Sequence, residues 1–388
     1  MTPVRTESLE RAGYITLVAC FAIDLFKIYG ADLLPLAAIF WLIVAFREKR
    51  PLDVPAFFWP LVVLAGWTLL SAAFGVNPLE SFKRSRQLLF FLIVPGTMRL
   101  LRGDRAATTM NVIIAAGAVS AMVGVVEYVA LGFDDMSHRP PGTFGHYMTY
   151  SGLLMLVLCS VLAKLIFNDG RWIWPAIAVP ALLAALVFTE SRNAWVGTAL
   201  AVAVLLAMRN WRLLLVMPVL AAALFFVAPK TVQSRILSVV DLNDPTNRDR
   251  VAMFKSGVHM TRDHPLFGVG LNNVMAMYPK YREPDAVDPE GTIGIGPRAH
   301  LHNVPVQLAA ERGLPALAAW LWFVVVAGRE LFTQLRHGPS KALAGAGVAA
   351  LIGMLVAGLF EHNFGDSEFL MLFLGLITLP FAARNARL

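Results

Sequence analysis

The sequence is poor in charged residues and in cysteine. Only 15% of its 388 residues are charged, 57% are hydrophobic, and the mean hydropathy is +0.63. Soluble domains contain about 25% charged and about 45–50% apolar residues, so this composition excludes a soluble globular protein. The two cysteines, Cys20 and Cys159, lie in apolar runs. They indicate neither a disulfide framework nor a metal–thiolate cluster, and they leave the redox compartment open.

The net charge of +7 would suggest a nucleic-acid partner in a soluble chain. In a membrane protein this excess is expected, because cytoplasmic loops retain lysine and arginine. We therefore predict membrane lipids, and no nucleic acid, as partners. The N-terminal apolar run lacks a small-residue cleavage site, so we expect it to stay as a first helix rather than be removed as a signal peptide.

Apolar runs fill most of the chain. A transmembrane helix needs about 20 mostly apolar residues, and this criterion predicts about twelve spans. They lie at roughly 13–29, 31–46, 57–75, 87–101, 108–131, 148–167, 173–188, 194–208, 213–228, 314–334, 342–360 and 367–383. The sequence shows no pair of broken spans of the kind typical of transporters. The predicted fold class is an all-α polytopic membrane protein.

Basic residues set the orientation of these spans, because lysine and arginine near span ends stay on the cytoplasmic side. An N-terminus inside the cell places most of them there, including Arg47, Arg99, Arg209, Arg336 and Arg384. Both termini are then cytoplasmic. The predicted divisions are nine spans in 1–228, one large loop in 229–303, which is periplasmic in a Gram-negative cell, and three spans in 304–388.

The 229–303 loop has helical signals of its own. A helix is predicted from Asn247 or Asp249 to about His259, with an apolar face at Val251, Phe254 and Val258. A second is predicted after Gly270, with an apolar side at Val274, Met277 and Tyr278. Both are considered as interfacial helices on the bilayer surface. A glycine-rich loop at 285–299 precedes a helix that starts at about Asn303, has Pro305 in its first turn and ends at Gly313.

Ionisable residues at span ends are functional candidates, because charge near membrane depth is costly. The turn TESRNAW, 189–195, joins two spans and holds Glu190 and Arg192. Arg192 either snorkels to water or binds a phosphate, since its planar fork suits phosphate oxygens. The segment NRDR places Arg248 and Arg250 at a helix start, where the helix dipole favours an anion; the alternative is a solvated helix start.

A second basic group lies in ESFKRSRQ, 80–87, on the predicted outer side. Its basic residues either contact anionic lipid headgroups or steer a negatively charged lipid substrate toward the site, and we slightly favour the headgroups. These residues are Lys83, Arg84 and Arg86.

The segment HLH before the helix at 303 supplies the best catalytic candidates, His300 and His302. In an extended backbone their side chains would point the same way. Histidine takes a proton from a hydroxyl nucleophile near neutral pH, a step that contributes about 10²–10⁴-fold. A polar stripe of Asn303, Gln307 and Glu311 is expected to orient the base. Alternatively, His302 is only an N-cap and His300 only a loop residue. Two histidines without a third ligand predict no metal.

Two further polar clusters lie at outer span ends, and each is expected to line an acceptor-sugar groove or to cap helices. The first comprises Arg139, His146, Tyr147 and Tyr150. The second comprises Glu361, His362, Asn363 and Asp366. The adjacent Asp134 and Asp135 lack a third carboxylate nearby, so they predict no metal site.

These patterns resemble those of a known family. The chain has about twelve spans, one large outer loop and three motifs, namely SR at 191–192, HPLFGVGLNN at 264–273 and HNVPVQLAAERG at 302–313. They are similar to the O-antigen ligase and polymerase superfamily of bacterial membrane glycosyltransferases. The resemblance implies a C-type glycosyltransferase fold that uses no metal, no cofactor and no nucleotide sugar.

The resemblance also implies substrates and site residues. The donor would be a glycan on undecaprenyl diphosphate and, for a ligase, the acceptor would be the lipid A-core oligosaccharide. The family's essential arginine after the seventh span would be Arg192, and its essential histidine would be His302, with His300 as the second choice. The loop arginine would be Arg248 or Arg250. We expect Arg192 and His302 to face one outer-leaflet cavity.

The resemblance favours an O-antigen ligase, because polymerases tend to have two large outer loops and this chain has one. The implied reaction is metal-independent and inverting: arginines hold the diphosphate, and the histidine deprotonates the acceptor hydroxyl. The alternatives are an O-antigen polymerase with the same donor and, from another class, a non-enzymatic transporter or flippase of an anionic lipid. The expected location is the bacterial inner membrane, with the active site facing the periplasm.

Overall fold

The computed structural model describes residues 3–26, 28–48, 52–133, 139–167, 173–239, 241, 243–284, 286–287 and 300–386. All the regular secondary structure within these residues is helical. The α-helices, in chain order, are α1 (Pro3–Asp24), α2 (Leu34–Glu48), α3 (Phe58–Phe74), α4 (Pro78–Arg84), α5 (Ile93–Leu100), α6 (Asp104–Leu131), α7 (Tyr147–Ile166), α8 (Ile173–Phe188), α9 (Arg192–Asn210), α10 (Val216–Val227), α11 (Lys230–Leu237), α12 (Pro245–Asp263), α13 (Val274–Tyr281), α14 (Val304–His337), α15 (Lys341–Ala357) and α16 (Ser367–Ala382).

Four helical stretches in the described residues are long and apolar enough to cross a membrane. They are α6, α7, α14 and the run Arg192–Val227, which contains α9 and α10. Helices α2, α3, α8, α15 and α16 are apolar but shorter. Since a bilayer core takes about 20 apolar residues per helix, the chain is a multi-pass membrane protein. The all-α membrane fold is thus confirmed, and the number of about twelve spans stays a prediction.

Helix α15 forms the centre of the bundle. It packs against α7, α9, α14 and α16, and its sequence KALAGAGVAALIGMLVA is dominated by small residues. Small residues let neighbouring helix backbones approach closely in a membrane. At Gly197 of α9, an added Cβ would lie only 3.2 Å from the carbonyl oxygen of Gly353 in α15. This close packing fixes the start of α9 relative to the end of α15.

The helix termini gather at two opposite ends of the bundle. At one end, the segment before α3 donates to Glu330 of α14 (3.1 Å), and Gly103 before α6 donates to the last turn of α16 (3.1 Å). At the other end, Val304 of α14 donates to Gly358 after α15 (2.7 Å), and α7 donates to Asp366 before α16 (2.5 Å). We call the first end the basic end, because it carries Arg99, Arg102, Arg105 and Arg329. We call the second end the loop end.

The loop between α10 and α14 contains three helices in its described residues, α11, α12 and α13, where the sequence predicted two. Helix α12 begins at Pro245, earlier than expected, because Asp244 is its N-cap and accepts the N–H of Asn247 at 3.2 Å. Helix α13 follows Gly270 as expected. The predicted glycine-rich loop at 285–299 lies outside the described residues except for 286–287.

Helix α12 carries apolar residues on two sides, and only one of them is buried in the protein. Val251, Phe254 and Val258 are exposed. The buried side instead carries Met253 and Met260, which join the small apolar core of the loop. The other main members of that core are Val269, Val274, Tyr278, Tyr281, Leu301 and Ala310. The exposed apolar side is compatible with the interfacial position considered for this helix, which stays a prediction.

The motif HPLFGVGLNN packs against an interruption in α14. Val269 N donates to Ala310 O (2.8 Å), and Leu314 N donates to Pro265 O (2.8 Å). Gly313, with φ +80° and ψ 173°, lies between these two contacts and is non-helical. The helix therefore breaks at Gly313 and then continues, so the predicted stop is a kink.

Replacing Gly313 by alanine should destabilise the protein. The backbone at Gly313 is in a region that only glycine adopts without strain, at a cost of about 1–3 kcal/mol for other residues, and a Cβ there would collide with the carbonyl oxygen of Leu266. The measurement is the thermal midpoint in detergent. The control is Gly66→Ala in α3, where an added Cβ meets nothing within 4 Å. Equal midpoints for the two variants would show that the kink is not required.

Candidate active site

Glu361 joins two histidines that are distant from it in the sequence. Its Oε2 lies 2.9 Å from His302 Nδ1, and its Oε1 lies 3.6 Å from His300 Nε2. The centroids of the two imidazoles are 4.8 Å apart. The expected extended backbone is wrong at His302, where φ is +49°. The rings lie together because both reach the same carboxylate, and we call these three residues the histidine–carboxylate group.

Asn303 holds the histidine segment in place. It, and not His302, is the N-cap of α14: its Oδ1 accepts from Val306 N (3.0 Å), and its Nδ2 donates to Leu359 O (3.0 Å). The start of α14 is thereby fixed to the residues just before Glu361. The alternative in which His302 is only an N-cap is wrong, and its ring is left to bind the carboxylate.

The rest of the polar stripe positions the backbone around the imidazoles rather than the imidazoles themselves. Gln307 Oε1 accepts from Leu301 N (2.7 Å), between the two histidines. Glu311 Oε1 accepts from Asn272 N (2.8 Å), in the HPLFGVGLNN motif. Glu361, which the sequence suggested only as a groove or capping residue, is the side chain that contacts the imidazole of His302.

The histidine–carboxylate group perturbs its own pKa values. Burial alone would raise the pKa of the Glu361 carboxyl, but the charge of His302 and hydrogen bonds from both histidines hold it well below its ordinary value. Burial alone would lower the pKa of His300, yet the hydrogen bond and charge of Glu361 raise it. Burial and the charge of His300 lower the pKa of His362 far below its usual range. The carboxylate is therefore ionised, and His362 is neutral.

Arg192 is buried and binds the large loop. Its Nη1 donates to the carbonyl and hydroxyl oxygens of Ser238 (2.6 and 2.9 Å), and its Nη2 donates to Asp244 (3.2 Å) and Asn247 (2.8 Å). Only 5% of the residue is exposed. The alternative in which Arg192 snorkels to water is therefore wrong, because the guanidinium points into the protein.

Arg235 lies beside this contact. Its Nη1 is 3.9 Å from Asp244 Oδ2, and its Nε donates to the backbone carbonyl of Glu190 (3.4 Å). Glu190 itself has φ +52° in the turn before α9. Burial, together with the charges of Arg192 and Arg139, lowers the pKa of Arg235 to about 10. Several positive charges therefore meet around the single carboxylate of Asp244.

Arg250 connects these arginines with the histidine–carboxylate group. It is close enough to both Glu361 and Arg192 for their charges to act on it, and burial lowers its pKa. Arg139 lies over the ring of Tyr147, with Cζ 4.3 Å from the centroid, and its Nε is buried. Within the described residues, that Nε has no hydrogen-bond acceptor. Together we call these residues the arginine cluster: Arg139, Arg192, Arg235 and Arg250.

The other predicted diphosphate ligands lie apart from the cluster. Arg248 is exposed on α12, although it is only two residues from Arg250. Lys83, Arg84 and Arg86 are exposed on α4 and the turn after it, where Arg84 lies 3.5 Å from Glu80. In the part of the chain that is described, no hydrogen bond or ion pair joins these four residues to the cluster. Exposure at this end suits contact with lipid headgroups.

A cavity of about 280 Å³ lies beside the histidine–carboxylate group. Its polar lining includes His146, Asn193, His300, Glu361, His362 and Asp366. Arg192 and His302 were expected to face one cavity, and it is their neighbours Asn193 and His300 that reach it. Tyr150 lies elsewhere, because its hydroxyl donates to Ser120 O (2.7 Å) inside the bundle. The acidic pair Asp134 and Asp135 falls outside the described residues.

Several residues of the site were missed by sequence reasoning. Arg235, Asp244 and Asn247 lie in a water-compatible loop, where charged and polar residues are unremarkable and give no signal. Glu361 was predicted as a groove or capping residue, and its contact with the histidines was missed although it is an acidic residue immediately after the apolar run 342–360.

The fold and the site define a multi-pass membrane protein with a pocket at one end that is lined by histidine and acidic side chains. Residues 176–321 match the family described as O-antigen ligase, and this stretch contains Arg192, Arg250 and His302. The resemblance to that family is therefore confirmed, and the chain is a glycosyltransferase-like enzyme of the polysaccharide ligase or polymerase type. A protein of Rickettsia bellii (strain RML369-C), named "Putative polysaccharide ligase", is 20% identical over 314 residues, which cover 78% of this chain and 74% of that protein.

The histidine–carboxylate group should make stability depend on pH. Because the pKa of His300 is raised, protonated His300 stabilises the folded state. This stabilisation is complete below pH 6.5, the ordinary pKa of histidine, and it is lost as the pH rises through the raised pKa. Because the pKa of Glu361 is lowered, ionised Glu361 stabilises the folded state, and this stabilisation is lost only when the pH falls through the lowered pKa. Glu361→Gln should therefore reduce the thermal midpoint more at about pH 6 than at about pH 9.

The matched control is Glu283→Gln, which removes the carboxylate 3.1 Å from His259 Nδ1. The His259 side chain is 55% exposed, so solvent screens this pair and little change is expected at either pH. An equal loss for Glu361→Gln at both pH values would contradict the assignment of the charges.

Proposed function

We propose that the chain is an O-antigen ligase. It transfers a glycan from undecaprenyl diphosphate to the lipid A-core oligosaccharide at the outer face of the bacterial inner membrane. The observation that carries this proposal is that the buried Arg192 with its loop contacts and the pairing of His302 with Glu361 lie at one end of the bundle, with Arg250 close enough to both Arg192 and Glu361 for their charges to act on it. A site of this kind suits an anionic leaving group on one side and a hydroxyl nucleophile on the other. The family match and the name of the Rickettsia protein support it.

The diphosphate binds at the arginine cluster. Arg192 already donates to Ser238, Asp244 and Asn247, so it shapes the cluster as well as adding charge. Arg139 has a buried Nε without an acceptor among the described residues, and Arg250 adds a further positive charge. Guanidinium groups suit phosphate oxygens because their donors form a planar fork and remain charged.

His302 is the general base. Glu361 holds its Nδ1 at 2.9 Å, so Nε2 takes the proton from the acceptor hydroxyl. The hydroxyl oxygen bonds to the anomeric carbon while the bond from that carbon to the diphosphate oxygen breaks, with inversion. The electron pair leaves with undecaprenyl diphosphate. Glu361 stabilises the imidazolium, and the arginines stabilise the diphosphate charge that a metal ion stabilises in other enzymes, so the transfer is metal-independent.

The loop end faces the periplasm in this proposal. The basic end carries Arg99, Arg102, Arg105 and Arg329, and lysine and arginine near span ends are retained in the cytoplasm. The cavity, the arginine cluster and the three loop helices are all at the opposite end. A lipid-linked donor then enters sideways from the outer leaflet, while the core acceptor approaches from the water side.

The experiment that tests the function combines the purified protein, in detergent and with a chelator, with labelled lipid-linked glycan and core acceptor. A ligase forms glycan-substituted core. A polymerase instead lengthens the lipid-linked glycan, and a transporter makes no product because no sealed compartment is present. Either of the last two results would overturn the proposal.

His302→Ala should lower kcat by about 10²–10⁴-fold, because general-base catalysis contributes that much. The rate is measured as labelled core formed per minute in the same assay. The control is His259→Ala, since His259 lies on α12 with a half-exposed side chain and pairs with Glu283 rather than with the site. A His302→Ala enzyme as fast as His259→Ala would sink the assignment of the base.

A further inference from the structure

The histidine–carboxylate group has the composition of a metal site. His300, His302 and Glu361 each offer one donor atom, and these three atoms lie within 4.8 Å of one another. Among the described residues, it is the set of at least three histidine, cysteine or acidic side chains whose donor atoms lie this close together. The sequence predicted no metal, because two neighbouring histidines lacked a third ligand. Glu361, 59 residues from His302, supplies that ligand.

The distances between the donor atoms, and the types of these atoms, fit zinc better than a hard cation such as calcium or magnesium. Zinc binds imidazole nitrogen and carboxylate oxygen at about 2.0–2.2 Å, so tetrahedral ligand atoms lie about 3.3 Å apart. The Glu361 oxygens lie 2.9 Å from His302 Nδ1 and 3.6 Å from His300 Nε2, on either side of that value. Because these distances are to two different oxygens of Glu361, side-chain rotation must bring one donor atom of each residue into a common tetrahedral set. Calcium and magnesium prefer oxygen ligands throughout, which this group does not offer.

Two imidazoles and one carboxylate leave a fourth position open, as in zinc sites that keep a water or exchangeable ligand. That position lies on the cavity side, because His300 and Glu361 both line the cavity. The positive charge of nearby Arg250 opposes a dication and favours an exchangeable ion over a permanent one. The site is therefore accessible to free zinc and suited to reversible occupation.

We propose that His300, His302 and Glu361 bind one zinc ion and that the bound ion blocks glycan transfer. Zinc would take the Nδ1 of His302 and the carboxylate that orients its ring, so the base could no longer be held against the acceptor hydroxyl. Zinc binding depends only on the three side chains. The block rests on the proposed function.

Binding is tested on the full-length protein in detergent, freed of metal, by titrating zinc chloride against a zinc-sensitive fluorescent indicator. The expected result is one zinc ion per wild-type chain. His300→Ala, His302→Ala and Glu361→Gln should each weaken binding at least about tenfold, and His259→Ala should bind as the wild type does. Wild-type stoichiometry and affinity in the three variants, or no binding to the wild type, would overturn the site.

Two further measurements guard against variants that merely fail to fold. His302→Gln keeps the size and polarity of the side chain, and it should also lose zinc while eluting as a single species in gel filtration. Zinc should raise the thermal midpoint of the wild type, because a ligand of the native state stabilises it, and leave that of His302→Gln unchanged. A folded His302→Gln protein with full zinc affinity would refute the role of that ligand.

The block is tested separately in the transfer assay. Zinc should inhibit the wild type over the concentration range of the titration, and a chelator should restore the rate. Transfer that is unchanged or faster with zinc bound would overturn the block. If the metal-free enzyme makes no product at all, the proposed function fails, whereas the titration still decides whether the zinc site exists.

Discussion

The hydrogen bonds of the Arg192 guanidinium are the contact on which the rest of the site depends. Arg192 begins α9 inside the bundle, and Ser238, Asp244 and Asn247 belong to the loop that follows α10. A buried guanidinium that loses its partners costs several kcal/mol, so this contact holds the loop against the helix bundle. Because Asn247 lies in the first turn of α12, it also fixes where that helix places Arg250.

Polar contacts also fix the position of the histidine–carboxylate group. Asn303 fixes the start of α14 to the chain after α15, and this brings His302 to Glu361 at 2.9 Å. Helices α9 and α15, which approach closely at Gly197, then hold these two parts of the site together. Packing of small residues and a few buried polar contacts thus hold the arginine cluster and the histidine–carboxylate group at the same end of the bundle.

Local signals in the sequence predicted much of this arrangement. Apolar runs indicated a helical membrane protein, and Asn303 and Pro305 marked the start of α14, whereas Gly313, predicted as its end, is a kink. The pairs that complete the site join distant residues: Arg192 and Asp244 are 52 positions apart, and His302 and Glu361 are 59 apart. No periodicity encodes such pairs. The buried face of α12 could not be predicted either, because Val251 and Met253 lie on different sides and only tertiary packing chooses between them.

The central claim is that Arg250 belongs to the donor site, and its neighbour Arg248 gives the closest comparison. The two lie on the same turn of α12, but Arg248 is exposed and Arg250 is partly buried near Glu361 and Arg192. The most direct measurement is the KM for the lipid-linked donor of Arg250→Gln and Arg248→Gln enzymes. The account predicts a KM raised at least about tenfold for Arg250→Gln, since a charge-assisted hydrogen bond to an anion contributes about 1.5–3 kcal/mol, and a nearly unchanged KM for Arg248→Gln. Equal values for the two variants, or a larger effect at Arg248, would contradict it.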